Sequence, residues 1–163
     1  MSDLALFGGK PVRKDPFPVW PRVTAGQKEQ LLDTLESATW GIGSDAITTF
    51  EDRFADFHDA KYCIATSSGT NALWVALKAG GVTAGDEVII PPYTFIATAS
   101  AVLMANAIPV FVDIDPDTFN INPTLIEKAI TERTKAIMPV HIGGNPADID
   151  RIKDIAKKHD ISV

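Results

Sequence analysis

The chain has 163 residues, 45% of them hydrophobic and 22% charged, enough for one globular domain with a core of its own. Fifteen Lys and Arg against 21 Asp and Glu give a net charge of −6, and no basic run breaks the pattern, so a nucleic-acid backbone finds nothing to hold. The single cysteine, Cys63, leaves no internal disulfide framework and no Cys-rich zinc site, and a reducing compartment is expected.

Residues 1–23 are expected to form an extended arm: Gly8, Gly9, Pro11, Pro16, Pro18 and Pro21 punctuate them and no periodicity runs through. Met1-Ser2-Asp3-Leu4 has an acid where a signal peptide needs a basic cluster, so the expected location is the cytoplasm. Residues 24–163 read as one partial domain. Thr24 with Gln27 three residues on makes a capping box, and Leu31, Leu32 and Leu35 supply the apolar stripe of the helix it opens. A turn at Trp40-Gly41-Ile42-Gly43 leads to a second helix, whose Ile47, Phe50, Phe54 and Phe57 recur at helical spacing and predict one buried face.

From Lys61 strands and helices alternate. Tyr62-Cys63-Ile64-Ala65 predicts a strand with Cys63 as a small core residue, 69–79 a helix, 87–90 a strand and 95–105 a helix. A strand over 108–112 follows. Then comes a helix over 123–130, with Asn122 as N-cap and Pro123 at the first helical position, where its missing N–H costs nothing. The last elements are a strand over 135–140, a helix over 147–159, and Asp160-Ile161-Ser162-Val163 as the opening of another strand. Strands apolar almost throughout are buried on both faces, and their alternation with helices predicts a three-layer α-β-α architecture around a mostly parallel sheet. Residues 88–112 carry no charge, yet Pro91, Pro92 and Pro109 interrupt them, so they read as strand, loop, helix and strand and no membrane partner is expected.

Ala65-Thr66-Ser67-Ser68-Gly69-Thr70-Asn71 stands where a strand gives way to a helix, a place whose free N–H groups and dipole favour a phosphate. An ordinary Ser/Thr cap explains the same residues, and both readings stand at this point. Neither of two better-known phosphate loops is present: no Lys follows Gly69, and Gly41-x-Gly43-x-x-Ala46 follows a helix instead of a strand. Tyr93-Thr94-Phe95 stands at the carboxyl end of a strand, the edge where open α/β sheets bind ligands; Phe95 is either a surface for a planar ring or core at a helix start. Asp113, Asp115 and Asp117 resemble a calcium loop, but Thr118 and Thr124 occupy the positions that need Gly and Glu, so they read as turn residues. His141, after the last long strand and before Gly143-Gly144, is open to a ligand or to a structural hydrogen bond. His58 and His159 sit late in helices, where helix-end roles suffice.

Taken together in this order, Ser67-Ser68-Gly69-Thr70-Asn71-Ala72-Leu73, Gly85-Asp86-Glu87-Val88-Ile89, Pro92-Tyr93-Thr94-Phe95-Ile96-Ala97-Thr98-Ala99, Val112-Asp113-Ile114-Asp115, and Pro139-Val140-His141 with Asn145-Pro146-Ala147-Asp148 resemble the DegT/DnrJ/EryC1/StrS aminotransferases. These are pyridoxal-phosphate (PLP) enzymes of fold type I. The likeness runs from about Thr24 to Val163, and the opening Leu4–Arg13 looks like members that use cyclitol or aminohydroxybenzoate-type substrates.

The resemblance implies that Ser68, Gly69 and Thr70 hold the cofactor phosphate, that Phe95 stacks on its pyridine ring, and that Tyr93 and His141 lie near the active site. It implies amino transfer from glutamate or glutamine to a keto-sugar or cyclitol ketone. It also implies a homodimer with sites at the interface, which would give the arm and the Trp40 turn a surface to pack on. The Schiff-base lysine, the acid that partners the ring nitrogen and the small C-terminal domain are expected beyond Val163. No catalytic residue is therefore assigned within these 163 residues, and on their own they are expected to be inactive. Two alternatives remain: a non-catalytic phosphate-binding or dimerisation module, and a PLP lyase or dehydratase on the same scaffold.

Overall fold

The computed structural model describes residues 4–163; the acid-bearing N-terminus read from Met1-Ser2-Asp3 lies outside them. Contacts divide the chain after Cys63 into two compact units.

The first unit opens with a 3-10 turn at Ala5–Phe7 and otherwise irregular, largely exposed chain up to Val23. Helix α1 (Ala25–Glu36) begins where the capping box was expected. Thr24 Oγ1 accepts from the Gln27 backbone N–H at 3.3 Å, and the Gln27 side chain accepts from the Thr24 N–H at 2.8 Å. The turn before α2 (Asp45–Phe57) needs Gly43, whose φ of 87° lies in the left-handed region.

The buried face expected of α2 is corrected here. Only Ala55 of that helix is buried, while Phe50 is 52% exposed and Phe57 83%. Helical spacing shows which residues share a face, and burial needs something to cover it; Leu31 of α1 and Phe50, Phe54 and Phe57 of α2 instead line one apolar groove.

The second unit is the expected α/β sandwich. Helix α3 (Gly69–Ala79) precedes strand β1 (Glu87–Ile90), then come α4 (Ala97–Met104), β2 (Ile108–Phe111), α5 (Pro123–Ala129), β3 (Thr134–Ile137) and α6 (Ile149–Lys158). The strands form a parallel sheet in the order β2-β1-β3, so the central strand is buried on both faces. Val88 and Ile90 pack with Leu77 of α3 and Ala101 and Val102 of α4. Ile89 points the other way, toward Ile126 of α5 and Ile152 and Ile155 of α6. All three strand residues are fully buried, each stabilising the fold by roughly 1.5–3 kcal/mol. Among the described residues no helix is long and apolar enough to cross a membrane.

One strand expectation is corrected, and the strand opening at the end of the chain is met by one bridge. Residues 62–65 form no strand, and Cys63 is half-buried in irregular chain. The final residues make a single parallel bridge, Ser162 to Ala136, held by bonds of 3.0 Å to Lys135 O and 2.8 Å from Ile137 N. The Asn122 cap stands as read: its Oδ1 accepts from the Thr124 N–H at 3.0 Å, with Pro123 in the first turn.

At the amino end of the sheet lies a feature that patterning did not reveal. Glu87 is 4% exposed, and its carboxylate accepts from the Thr131 hydroxyl at 2.6 Å and from the Arg133 guanidinium. The Thr131 hydroxyl, then Arg133 and Thr134, outweigh burial and hold this carboxyl below the usual glutamate range. This ion pair ties β1 to the segment that enters β3, where the register of the two strands shifts.

Candidate functional site

Helix α4 leaves β1 on one face of the sheet and α6 leaves β3 on the other. The loops after these neighbouring strands therefore part at the carboxyl edge, the crevice where open α/β sheets take ligands. Helix α3 ends shortly before β1 begins and so runs against it, opening at the same edge. Leu73, in the second turn of α3, shares a groove with Met138, Pro139 and His141 just beyond β3.

Ser68 is the N-cap of α3: its hydroxyl accepts from the Asn71 N–H at 3.2 Å. The Asn71 amide in turn donates to Ser67 Oγ at 2.7 Å, and the Thr66 hydroxyl donates to Ser68 O at 3.0 Å. The loop is thus tied by its own side chains. The N–H groups of Gly69 and Thr70, in the first helical turn, have no carbonyl within the helix to reach. A Cβ added at Gly69 would meet nothing within 4 Å, so a ligand can approach that backbone from open space. The cap engages the Asn71 N–H and leaves the Gly69 and Thr70 N–H groups outside it.

Phe95 is 76% exposed, which removes the reading as core at a helix start. The helix begins two residues later, at Ala97, and the loop is braced by a 2.8 Å contact between the Thr94 and Thr98 hydroxyls. Tyr93 is 54% exposed and its ring lies 5.9 Å from that of Phe119, a residue held at φ 61° in the loop after β2. Asp115 Oδ1 accepts from the Asp117 and Thr118 N–H groups, both at 3.0 Å, which makes the acidic stretch a turn and keeps that carboxyl below its usual range. Among the described residues no three His, Cys, Asp or Glu side chains gather as a metal would require.

His141 takes a structural hydrogen bond on one nitrogen: Nδ1 accepts from the Ala147 N–H at 2.9 Å. Asn120, 4% exposed, went unnoticed in the sequence, where it is a lone polar residue between Phe119 and Ile121; its partners lie 22 to 26 positions away. At the helix ends, His159 meets Glu127 at 3.2 Å and His58 packs on Phe54 and Phe57.

The open backbone at Gly69 and the exposed ring of Phe95 fit the phosphate and the ring of PLP, which are a dianion and a flat aromatic. Comparison with known proteins points the same way. The family model described as DegT/DnrJ/EryC1/StrS aminotransferase family matches residues 21–163. L-glutamine:2-deoxy-scyllo-inosose aminotransferase of Streptomyces kanamyceticus is 47% identical over 98% of the chain, and 39% of that relative is covered. The crystal structure of 3-amino-5-hydroxybenzoic acid synthase matches 90% of the chain at 39% identity and a TM-score of 0.86, over 38% of its own length. NtdA of Bacillus subtilis, with its cofactor PMP bound, matches 93% of the chain at 40% identity and a TM-score of 0.79, over 36% of its own length. The chain thus spans about two fifths of the length of the relatives it matches.

Proposed function

The chain belongs to the DegT/DnrJ/EryC1/StrS aminotransferase family, and from that premise we propose that it is the cofactor-phosphate part of a PLP-dependent enzyme moving an amino group from glutamine or glutamate to a cyclitol or sugar ketone. The observation that carries this reading is the unobstructed backbone of Gly69 at the N-terminus of α3. The glutamine and inosose in the name of the Streptomyces relative support the donor and acceptor classes. PMP in the Bacillus structure supports the cofactor.

When bound, PLP supplies the electron sink for amino transfer. The residues of this chain hold it. The Gly69 and Thr70 N–H groups would hold its phosphate with the help of the helix dipole, and Ser68 fixes the turn that presents them. Phe95 would pack against its ring and exclude water there, and Tyr93, leaning on Phe119, would border the acceptor. The exposed apolar stripe of Leu31, Phe50 and Phe54 supports a homodimer.

No lysine of these 163 residues matches the family's Schiff-base position, so alone they bind the cofactor without a covalent bond and do not transaminate. Titration of the purified chain with PLP, followed by borohydride and mass spectrometry, tests this. The expected result is protection against thermal unfolding with no pyridoxyl adduct. Absence of protection overturns the cofactor reading, and a stoichiometric adduct on one lysine overturns the non-covalent one.

A further inference from the structure

Two loops at the carboxyl edge are sewn together by one buried side chain. The Asn120 amide nitrogen donates to Asn145 O at 3.1 Å and to Pro146 O at 3.2 Å, and its oxygen accepts from the Ile142 N–H at 3.3 Å. Asn145 returns the contact, donating from Nδ2 to Thr118 O at 3.2 Å. A buried amide with both ends satisfied is rigid, since breaking any of these bonds strands a polar group away from water.

The loop so held carries His141, and Gly143 and Gly144, at φ 59° and 83°, turn it back on itself. The turn brings the Ala147 N–H onto His141 Nδ1. A backbone N–H can only donate, so the ring nitrogen facing it must be the acceptor. In a neutral imidazole the proton then sits on Nε2. That Nε2–H has no partner among the described residues, and the side chain is exposed in the groove it shares with Leu73 of α3.

We propose that Asn120 is a positioning residue: it locks His141 as the Nε2–H tautomer and presents that N–H to an oxygen acceptor of a ligand at the carboxyl edge of the sheet. A neutral N–H donor pairs with a hydroxyl, carbonyl or phosphate oxygen and offers nothing to an ammonium group. The tautomer stands on the hydrogen bonds alone, whereas the ligand half rests on the function proposed above. Two sources supply the oxygen, the cofactor or the ketone.

The test is ring-nitrogen NMR of the 163-residue chain labelled in its three histidines, at mildly alkaline pH, with H141Q identifying the His141 signals. The expected wild-type spectrum has pyrrole-type Nε2 and pyridine-type Nδ1 with no averaging. In N120A the two nitrogens average, and the Ala147 amide exchanges about tenfold faster or more. N120D, which keeps an acceptor for Ile142 but loses both donated bonds, shifts the same way. Averaged nitrogens in the wild type, or an unchanged His141 ring in a folded Asn120 variant, overturn the positioning role. Should both variants unfold, the wild-type spectrum still decides the tautomer.

PLP and 2-deoxy-scyllo-inosose are then added separately. A downfield move of the Nε2 proton with one of them supports the donor role and identifies the source of the oxygen. No move with either overturns that role. If PLP still protects against unfolding in that case, the proposed function survives; if it does not, the function falls with the donor role while the tautomer result stands.

Discussion

Replacing Gly69 by Ala separates fold from function at one atom. The new methyl enters open space at an ordinary helical φ, so the thermal midpoint is expected to stay within about 2 °C of wild type, less than the shift a 1 kcal/mol change gives. The same methyl occupies the path to the Gly69 and Thr70 N–H groups, and PLP affinity is expected to fall at least about tenfold, or ~1.4 kcal/mol, by calorimetric titration. Glu87→Gln makes the opposite case, far from the candidate site. The variant loses the charge that Thr131 and Arg133 solvate and is expected to unfold at lower urea than wild type at neutral pH. Because the native carboxyl sits below its ordinary range, its contribution is complete above the unfolded value of about 4.3 and vanishes as pH drops through the native one. The urea midpoints of wild type and E87Q should therefore converge in acid; a gap independent of pH would refute the assignment.

Single elements show how far local chemistry reaches. The α5 cap was legible from Asn122-Pro123 because an N-cap needs only a side-chain oxygen two or three residues from an orphan N–H. Asn122→Ala is expected to cost about 1 kcal/mol in denaturant unfolding, with an unchanged m-value as the check that only the cap was lost. The same locality made the Thr24 box and the Gly43 turn readable. It failed for residues 62–65, since an apolar run signals burial and does not by itself build a strand ladder. It failed as well for α2. Its phenylalanines share a face as spaced, but their exposure depends on what lies opposite, and spacing carries no such information. In α6 the same kind of stripe is buried, with Ile152 and Ile155 against Ile89 and Ile126.

For the whole molecule, charge and carboxylate chemistry coincide. Net charge is −6 at neutral pH and the isoelectric point is near 4.9, so self-repulsion fades just as pH approaches the carboxylate range. Asp86, Glu87, Asp115 and Glu127 are all held below their ordinary values, by Thr83, Thr131, Thr118 and His159 respectively as the largest influences. In that range the unfolded chain binds more protons than the native one, so stability falls as pH falls. Thermal midpoints by circular dichroism are expected to drop steadily below about pH 4.5; a midpoint that rises on acidification would contradict these four assignments together.

By itself the sequence determined the alternation of elements, the caps, the parallel sheet and the loops at its carboxyl edge, because apolar periodicity, Pro and Gly conformations and N-cap chemistry act within a few residues of chain. The motif blocks carried the family, and with it the expectation of a phosphate cradle at Ser68, Gly69 and Thr70. Only the tertiary structure decided that Phe95 faces outward, that Glu87 is buried with Thr131 and Arg133, that Asn120 binds a loop more than 20 residues away, and that the Ala147 N–H meets His141 Nδ1. Those outcomes depend on which groups folding brings within about 3 Å of each other, a distance that separation along the chain does not encode.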